Sequence, residues 1–102
     1  MSIEPGMFWQ LRYRRVADIV HRDIGGEHLL VPVKGNLVEL HAIYSLNEVA
    51  AAIWEKLDGN RAMAAIRDEL AQEYDTAAEG LESDIREAVL QFANSGLVEV
   101  VE

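Results

Sequence analysis

The sequence has no cysteine, and that absence excludes disulfides, thiolate metal ligands and cysteine nucleophiles together. No apolar run approaches the roughly 18 residues of a membrane-spanning helix. The N-terminus has no basic start followed by an apolar core, so no secretory signal is expected. A cytoplasmic protein without membrane contact is the expectation. Histidine is scarce, with His21, His28 and His41 the only three. None stands in a helical i, i+4 pair and no ligand motif accompanies them, so strand-end or solvent-facing imidazoles are expected and no metal site. There is no HExxH, no glycine-rich phosphate loop and no nucleophile elbow. The run containing Glu79, Glu82, Asp84 and Glu87 reads as the solvated face of an amphipathic helix. No catalytic residue and no cofactor are expected.

Positive charge is also in short supply, with 9 Lys and Arg against 18 Asp and Glu, for a net charge of -9. The shortage is uneven. Residues 1–36 carry five basic and four acidic groups (5 − 4 = +1), and residues 37–102 carry four and fourteen (4 − 14 = −10). The second part of the chain would repel a polyphosphate.

What is present suffices for one folded domain over residues 1–102. Half the residues are apolar, which excludes disorder, and the length is enough to bury a core. Repeats, linkers and low-complexity segments are absent. Residues 1–15 form an N-terminal arm in which Met7, Trp9, Leu11 and Tyr13 alternate with polar residues and only Phe8 breaks the pattern. That period of two predicts a strand or extended segment covering part of the domain's own core. Aromatics interleaved with Arg12, Arg14 and Arg15 also suit a nucleic-acid or membrane surface, but the basic footprint is small. As a strand, the arm suggests a further role, occupying a free sheet edge of its own chain or of a second copy in a homodimer.

Val16–Ile24 reads as a strand, and Gly25-Gly26 supplies the positive φ of a tight hairpin. His28–Val33 is the second strand, with Pro32 expected at an edge, a bulge or a strand end because it cannot donate to a ladder. Gly35-Asn36 marks a turn. Leu37–Tyr44 is the third strand, with Val38, Leu40, Ala42 and Tyr44 on one face and Glu39 and His41 among those on the other. Ser45 and Asn47 then offer caps for a central helix, with Glu48 in its first turn and Leu46, Val49, Ala50, Ile53, Trp54 and Leu57 on its apolar stripe. Gly59 is the expected stop. A second helix covers Ala62–Tyr74, with Met63, Ile66, Leu70 and Tyr74 on one stripe. A third runs from about Ala77 to Ser95, with Leu81, Ile85, Ala88, Val89 and Phe92 inward. Gly96 ends it, and Leu97–Val101 forms a short final strand. The predicted fold is α+β, a three-stranded antiparallel sheet followed by three helices in a winged helix-turn-helix-like arrangement.

The stretch YSLNEVAAAIWEKLDG, Tyr44–Gly59, resembles the family of the coenzyme PQQ synthesis protein D. Tyr44, Leu46, Asn47, Glu48, Ile53, Trp54, Glu55, Asp58 and Gly59 carry the resemblance. It continues through Ile66, Leu70, Glu73, Tyr74, Asp75, Asp84, Phe92, Gly96 and Leu97. The segments HLLVPV and YSLNEVAAAIWE look most like relatives that stand beside other radical S-adenosylmethionine peptide maturases. Where the family usually caps its next helix with Thr this chain has Ala62, a loss of about 1 kcal/mol at that helix start.

The resemblance implies a non-catalytic recognition element for a ribosomally made precursor peptide. It would bind the leader by strand addition and present it to a radical S-adenosylmethionine enzyme, its second partner. The third strand of the sheet and the groove between it and the third helix would be the site. On this sequence the strand residues are Val38, Glu39, Leu40, His41, Ala42 and Ile43. Independently of the resemblance, Leu90 lies opposite the buried stripe of the third helix with Arg86 one turn before it, offering an apolar contact and a cation to an acidic leader. Tyr44, Asn47 and Trp54 are expected as core and cap. Two other classes of function stay open. One is a winged-helix DNA-binding regulator, although its reading helix would hold Arg86 against four acidic residues. The other is a dimerisation or adaptor module using the arm.

Overall fold

The computed structural model describes residues 5–32 and 44–101. In chain order the elements are α1 (Pro5–Phe8), β1 (Arg12–Arg15), β2 (Ile19–Ile24), β3 (Glu27–Pro32), β4 (Tyr44–Leu46), α2 (Glu48–Glu55), β5 (Asp58–Ala62), α3 (Met63–Glu73), α4 (Ala78–Asn94) and β6 (Val98–Val101). The strands form two three-stranded antiparallel sheets, ordered β5-β1-β6 and β2-β3-β4. The fold is α+β and winged-helix-like.

Local chemistry explains the second sheet. Gly25 and Gly26 adopt φ of 60° and 86° between Ile24 and Glu27, which face each other in the ladder, so a two-residue primed turn closes the hairpin. Pro32 is the last residue of β3, the strand-end position it requires. β4 pairs with β3 through Leu46 opposite His28 and Tyr44 opposite Leu30, which makes a three-stranded meander; β4 shares only Tyr44 with the expected third strand, and Leu46, expected on the helical stripe, stands in β4. The Gly35-Asn36 turn and the strand residues Val38, Glu39, Leu40, His41, Ala42 and Ile43 lie outside the described residues.

Asn47 alone separates β4 from α2. Its side-chain oxygen accepts from the Ala50 N–H at 2.8 Å, capping the helix as expected. The other end departs from expectation. α2 stops at Glu55, and the carbonyls of Trp54 and Glu55 accept from the Arg15 guanidinium at 2.9 and 2.8 Å. Gly59 is therefore no helix stop. It sits in β5 with φ 82°, where a Cβ would lie 3.2 Å from both Arg14 Cβ and Val101 Cγ2. The ladder between β1 and β5 is irregular at this place, a bulge that needs a residue free to take positive φ.

Of the first sheet's strands, β6 lies within the expected final strand Leu97–Val101 and β1 within the expected arm, while β5 was hidden. The arm is not one strand. A helical turn over Pro5–Phe8 is followed by bonds from Gln10 N–H to Met7 O and from Leu11 N–H to Phe8 O, so the period of two does not survive across it. Phe8, the residue that broke the pattern, is buried, whereas Met7 is 48% exposed. Tyr13 is buried in β1, the middle strand of its sheet. The arm thus belongs to the chain's own core. β5 reads DGNRA and has no apolar period at all.

The core joins both sheets to the three longer helices. Tyr13, Leu30, Ile53, Trp54, Ile66 and Ile85 are among its fully buried side chains. Trp54 meets Phe92 edge-on at 5.3 Å between centroids, a geometry that adds about 0.5–1.5 kcal/mol to simple burial. The stripes of α3 and α4 are buried at Met63, Ile66, Leu70, Leu81, Ile85, Val89 and Phe92. Ala62 occupies the α3 cap position without a side-chain bond. Tyr74, expected on the buried stripe, is 41% exposed, because α3 ends at Glu73 and Asp75 turns the chain away with φ 50°.

Ionic links brace the periphery. Lys56 Nζ donates to Glu69 at 2.9 Å and Glu73 at 2.7 Å, and Arg61 donates to the other oxygen of Glu69 at 2.7 Å. His21 Nδ1 and Glu55 Oε2 lie 3.0 Å apart, and His21 Nε2 and His28 Nδ1 3.1 Å. These imidazoles tie the hairpin to α2; His28 stands near the start of β3, one of the two placements expected.

Two outcomes are expected. Gly59→Ala forces a left-handed backbone and a tight contact, and should lower unfolding free energy in denaturant titration by about 1–2 kcal/mol. The bonds from Lys56 and then Arg61 hold the Glu69 carboxyl below its ordinary 4.5. A depressed carboxylate stabilises the fold above its unfolded value and loses that contribution as pH falls through the folded one. Glu69→Gln should therefore reduce thermal stability at neutral pH, and the gap to the parent protein should narrow as pH drops below 4.5. A constant gap across the acid limb would refute this role for Glu69.

Candidate functional site

β4 is an edge strand, paired only with β3 among the described residues. Such an edge leaves main-chain N–H and C=O groups available to an added strand. Beside it lies a cleft of about 230 Å³ lined by Tyr44, Ser45, Leu46, Gln91, Phe92, Asn94, Ser95 and Leu97. Its floor is apolar, with Leu46, the nearly buried Phe92 and the buried Leu97. Amides and hydroxyls from Gln91, Asn94, Ser95 and Ser45 form its rim, and among the described residues no charged side chain lines it.

Each part of this cleft is fixed by local structure. The Asn47 cap turns β4 directly into α2, so the strand cannot slide along the helix it precedes. Phe92 is held from beneath by Trp54. Leu97 is placed by the end of α4, where Gly96 takes φ 76°. There Gly96 N–H donates to Ala93 O at 3.1 Å and Leu97 N–H donates to Phe92 O at 2.9 Å. That paired bonding is the Schellman termination. Leu97 O in turn accepts from Val16 N–H at 3.0 Å, which locks it to the strand below.

A second recess of about 200 Å³ continues along α4, lined by Asn47, Val49, Ala50, Ile53, Asp84, Glu87, Ala88 and Gln91. Gln91 is common to both. The two recesses form one groove over the α2 and β4 side of α4, uncharged at one end and acidic at the other. Asp84 and Glu87 make no ion pair among the described residues, in contrast to Glu69, Glu73 and Glu82.

Arg86 and Leu90 fall on the other flank of α4. They line an open depression with Glu79, Glu82, Ser83 and Glu87. The Arg86 guanidinium stands 5.5 Å from the Phe8 ring centroid and 5.4 Å from that of Trp9, so it stacks on the arm. Leu90 is 39% exposed, as its helical phase implied. The structure brings these two residues together but not to the β4 cleft. Tyr44, expected in the core, is 36% exposed and forms a wall of that cleft. The sequence reading missed Gln91, Asn94, Ser95 and Leu97 as lining residues. Helical phase could have found Gln91, since it stands seven residues after Asp84 and four after Glu87 on one face.

Among the described residues no group of three His, Cys, Asp or Glu could hold a metal ion, and no helix is long and apolar enough to cross a membrane.

Comparison with known proteins agrees with this architecture. A PqqA binding protein of Methylococcus capsulatus is 43% identical over 53 residues, covering 52% of this chain and 55% of the relative. The chain therefore matches little more than half of that relative's length. The solved structure of TbiB1 in complex with the TbiA(beta) leader peptide is similar in fold, with a TM-score of 0.65 at 23% identity over 84% of this chain and 94% of that one. The family model for coenzyme PQQ synthesis protein D (PqqD) matches residues 27–98, from the first residue of β3 to the first of β6, and so takes in β4, α2 and α4 entire. By that match the chain belongs to the coenzyme PQQ synthesis protein D family.

Proposed function

We propose that this protein is a non-catalytic carrier that binds the leader of a ribosomally made precursor peptide and presents it to a radical S-adenosylmethionine maturase. The observation that carries this reading is a strand edge unpaired among the described residues beside an apolar-floored cleft, β4 against the end of α4. An extended peptide adds to such an edge through main-chain hydrogen bonds and takes its specificity from pockets for alternate side chains. Leu46, Phe92 and Leu97 offer the pocket, and Ser45, Gln91, Asn94 and Ser95 offer donors and acceptors at its rim. The relative named a PqqA binding protein and the leader-bound TbiB1 structure support the same class of ligand for this chain.

Electrostatics oppose a nucleic-acid ligand. The exposed side of α4 carries Glu79, Asp84 and Glu87, and phosphate contact needs cations there.

The test is calorimetric titration of the full chain with synthetic leaders from short open reading frames encoded near its gene, with duplex DNA as comparator. One leader should bind at micromolar concentration or tighter, and DNA should not bind. Gln91 is exposed, so Gln91→Trp should block the groove and weaken that leader at least about tenfold, or about 1.4 kcal/mol, without lowering the melting temperature. Arg86→Glu and Leu90→Asp, on the other flank, should leave affinity within about twofold, under about 0.5 kcal/mol. The reverse pattern would move the site to the depression beside the arm.

A further inference from the structure

The groove along α4 is chemically two-ended. At the β4 end it is apolar and uncharged. At the α2 end, Asp84 and Glu87 stand over a floor of Val49, Ala50, Ile53 and Ala88. Among the described residues no basic side chain lines either recess. Six of the chain's nine Lys and Arg residues are engaged elsewhere, Lys56 and Arg61 with Glu69, Arg67 with Glu82, Arg14 with Glu99, Arg15 with the end of α2, and Arg86 with the arm. The carboxylates on α3 and at the α3–α4 contact thus have partners, whereas the two that overlook the groove have none among the described residues. Like charges one turn apart on a helix are mildly destabilising, and a ligand cation would relieve that.

Because the acidic recess continues the proposed peptide cleft, we propose that the groove selects leaders carrying a lysine or arginine about three residues ahead of an apolar side chain. The cation lies against Asp84 and Glu87, and the apolar group lies over Leu46, Phe92 and Leu97. The spacing follows from geometry. The midpoint of Asp84 and Glu87 lies about 11 Å along α4 from the Phe92–Asn94 turn at 1.5 Å per residue. About three residues of extended chain cover that distance at 3.3 Å each. The order follows from chain direction. β4 runs from the Asn94–Leu97 end of α4 towards Asp84, since Tyr44 borders the first recess and Asn47 to Ile53 the second. Both sheets are wholly antiparallel. A peptide added antiparallel to β4 therefore meets the acidic end first and the apolar end after it. This inverts the acidic leader expected from Arg86, whose guanidinium lies on the other flank.

The inference rests on the peptide-binding reading, and the experiment separates the two. A displayed library of random dodecapeptides is selected on the immobilised full chain, and the enriched peptide is then synthesised and titrated. Expected are peptides pairing a basic residue with a following apolar one. Asp84→Asn with Glu87→Gln should weaken the enriched peptide about two- to fivefold, the range of exposed ion pairs, and should flatten the fall of affinity with salt. Both carboxylates are exposed, so the variant should melt like the parent. Replacing the peptide's basic residue by norleucine should cost as much on the parent and nothing further on the variant. If peptides are enriched for an apolar residue alone, or keep their basic preference on the variant, the charge assignment is overturned. Binding that Gln91→Trp still abolishes would then leave the cleft reading intact. If no peptide is enriched above a blank surface, both fall.

Discussion

α2 is eight residues long, well below the length at which a helix holds together in water by itself. Its stability has to come from outside, and the structure supplies it at three places. Asn47 satisfies a free N–H at the start, the Arg15 guanidinium satisfies two carbonyls at the end, and the face between them buries Ile53 and Trp54. The end clamp is the constraint on which the rest depends. Arg15 belongs to β1, which in turn binds β5 and β6. One side chain thereby fixes the first sheet to the helix that carries β4.

With α2 fixed, the groove follows. β4 ends where the helix begins, and α4 crosses over the same helix with Phe92 resting on Trp54. The cleft is therefore framed by elements whose positions are set in the core, while its edge strand is paired on one side only among the described residues. Preorganisation of this kind limits the ordering cost of binding. The hairpin that bears β4 is tied to α2 through His21 and Glu55 and anchored by the buried Leu30.

The two flanks of α4 do different jobs. One is covered in part by the arm, with Arg86 across the Phe8 and Trp9 rings and Arg67 between Trp9 and Glu82. The other carries Asp84 and Glu87, which have no ion-pair partner among the described residues. A net charge of -9 is thus not spread evenly over the fold. Part of it borders the groove, where charge acts at short range while salt screens more distant charges.

Much of this was legible in the sequence, because it depends on neighbours in the chain. The α4 stripe needs only a period of 3.6, the hairpin turn needs two glycines, and the Asn47 cap needs an acceptor beside a helix start. The Tyr44–Gly59 stretch also carried the family. What the sequence left hidden was contributed by partners distant in the chain. β5 has no period of its own and becomes a strand because β1 bonds to it. Gly59 looked like a helix stop until Arg14 and Val101 closed around it. Arg15 could not be known as the cap of a helix about 40 residues later. Periodicity and capping therefore determined which segments are helices and which form the meander. Only tertiary structure decided which flank of α4 faces β4, because a helix's phase identifies its exposed residues but not what stands beside them.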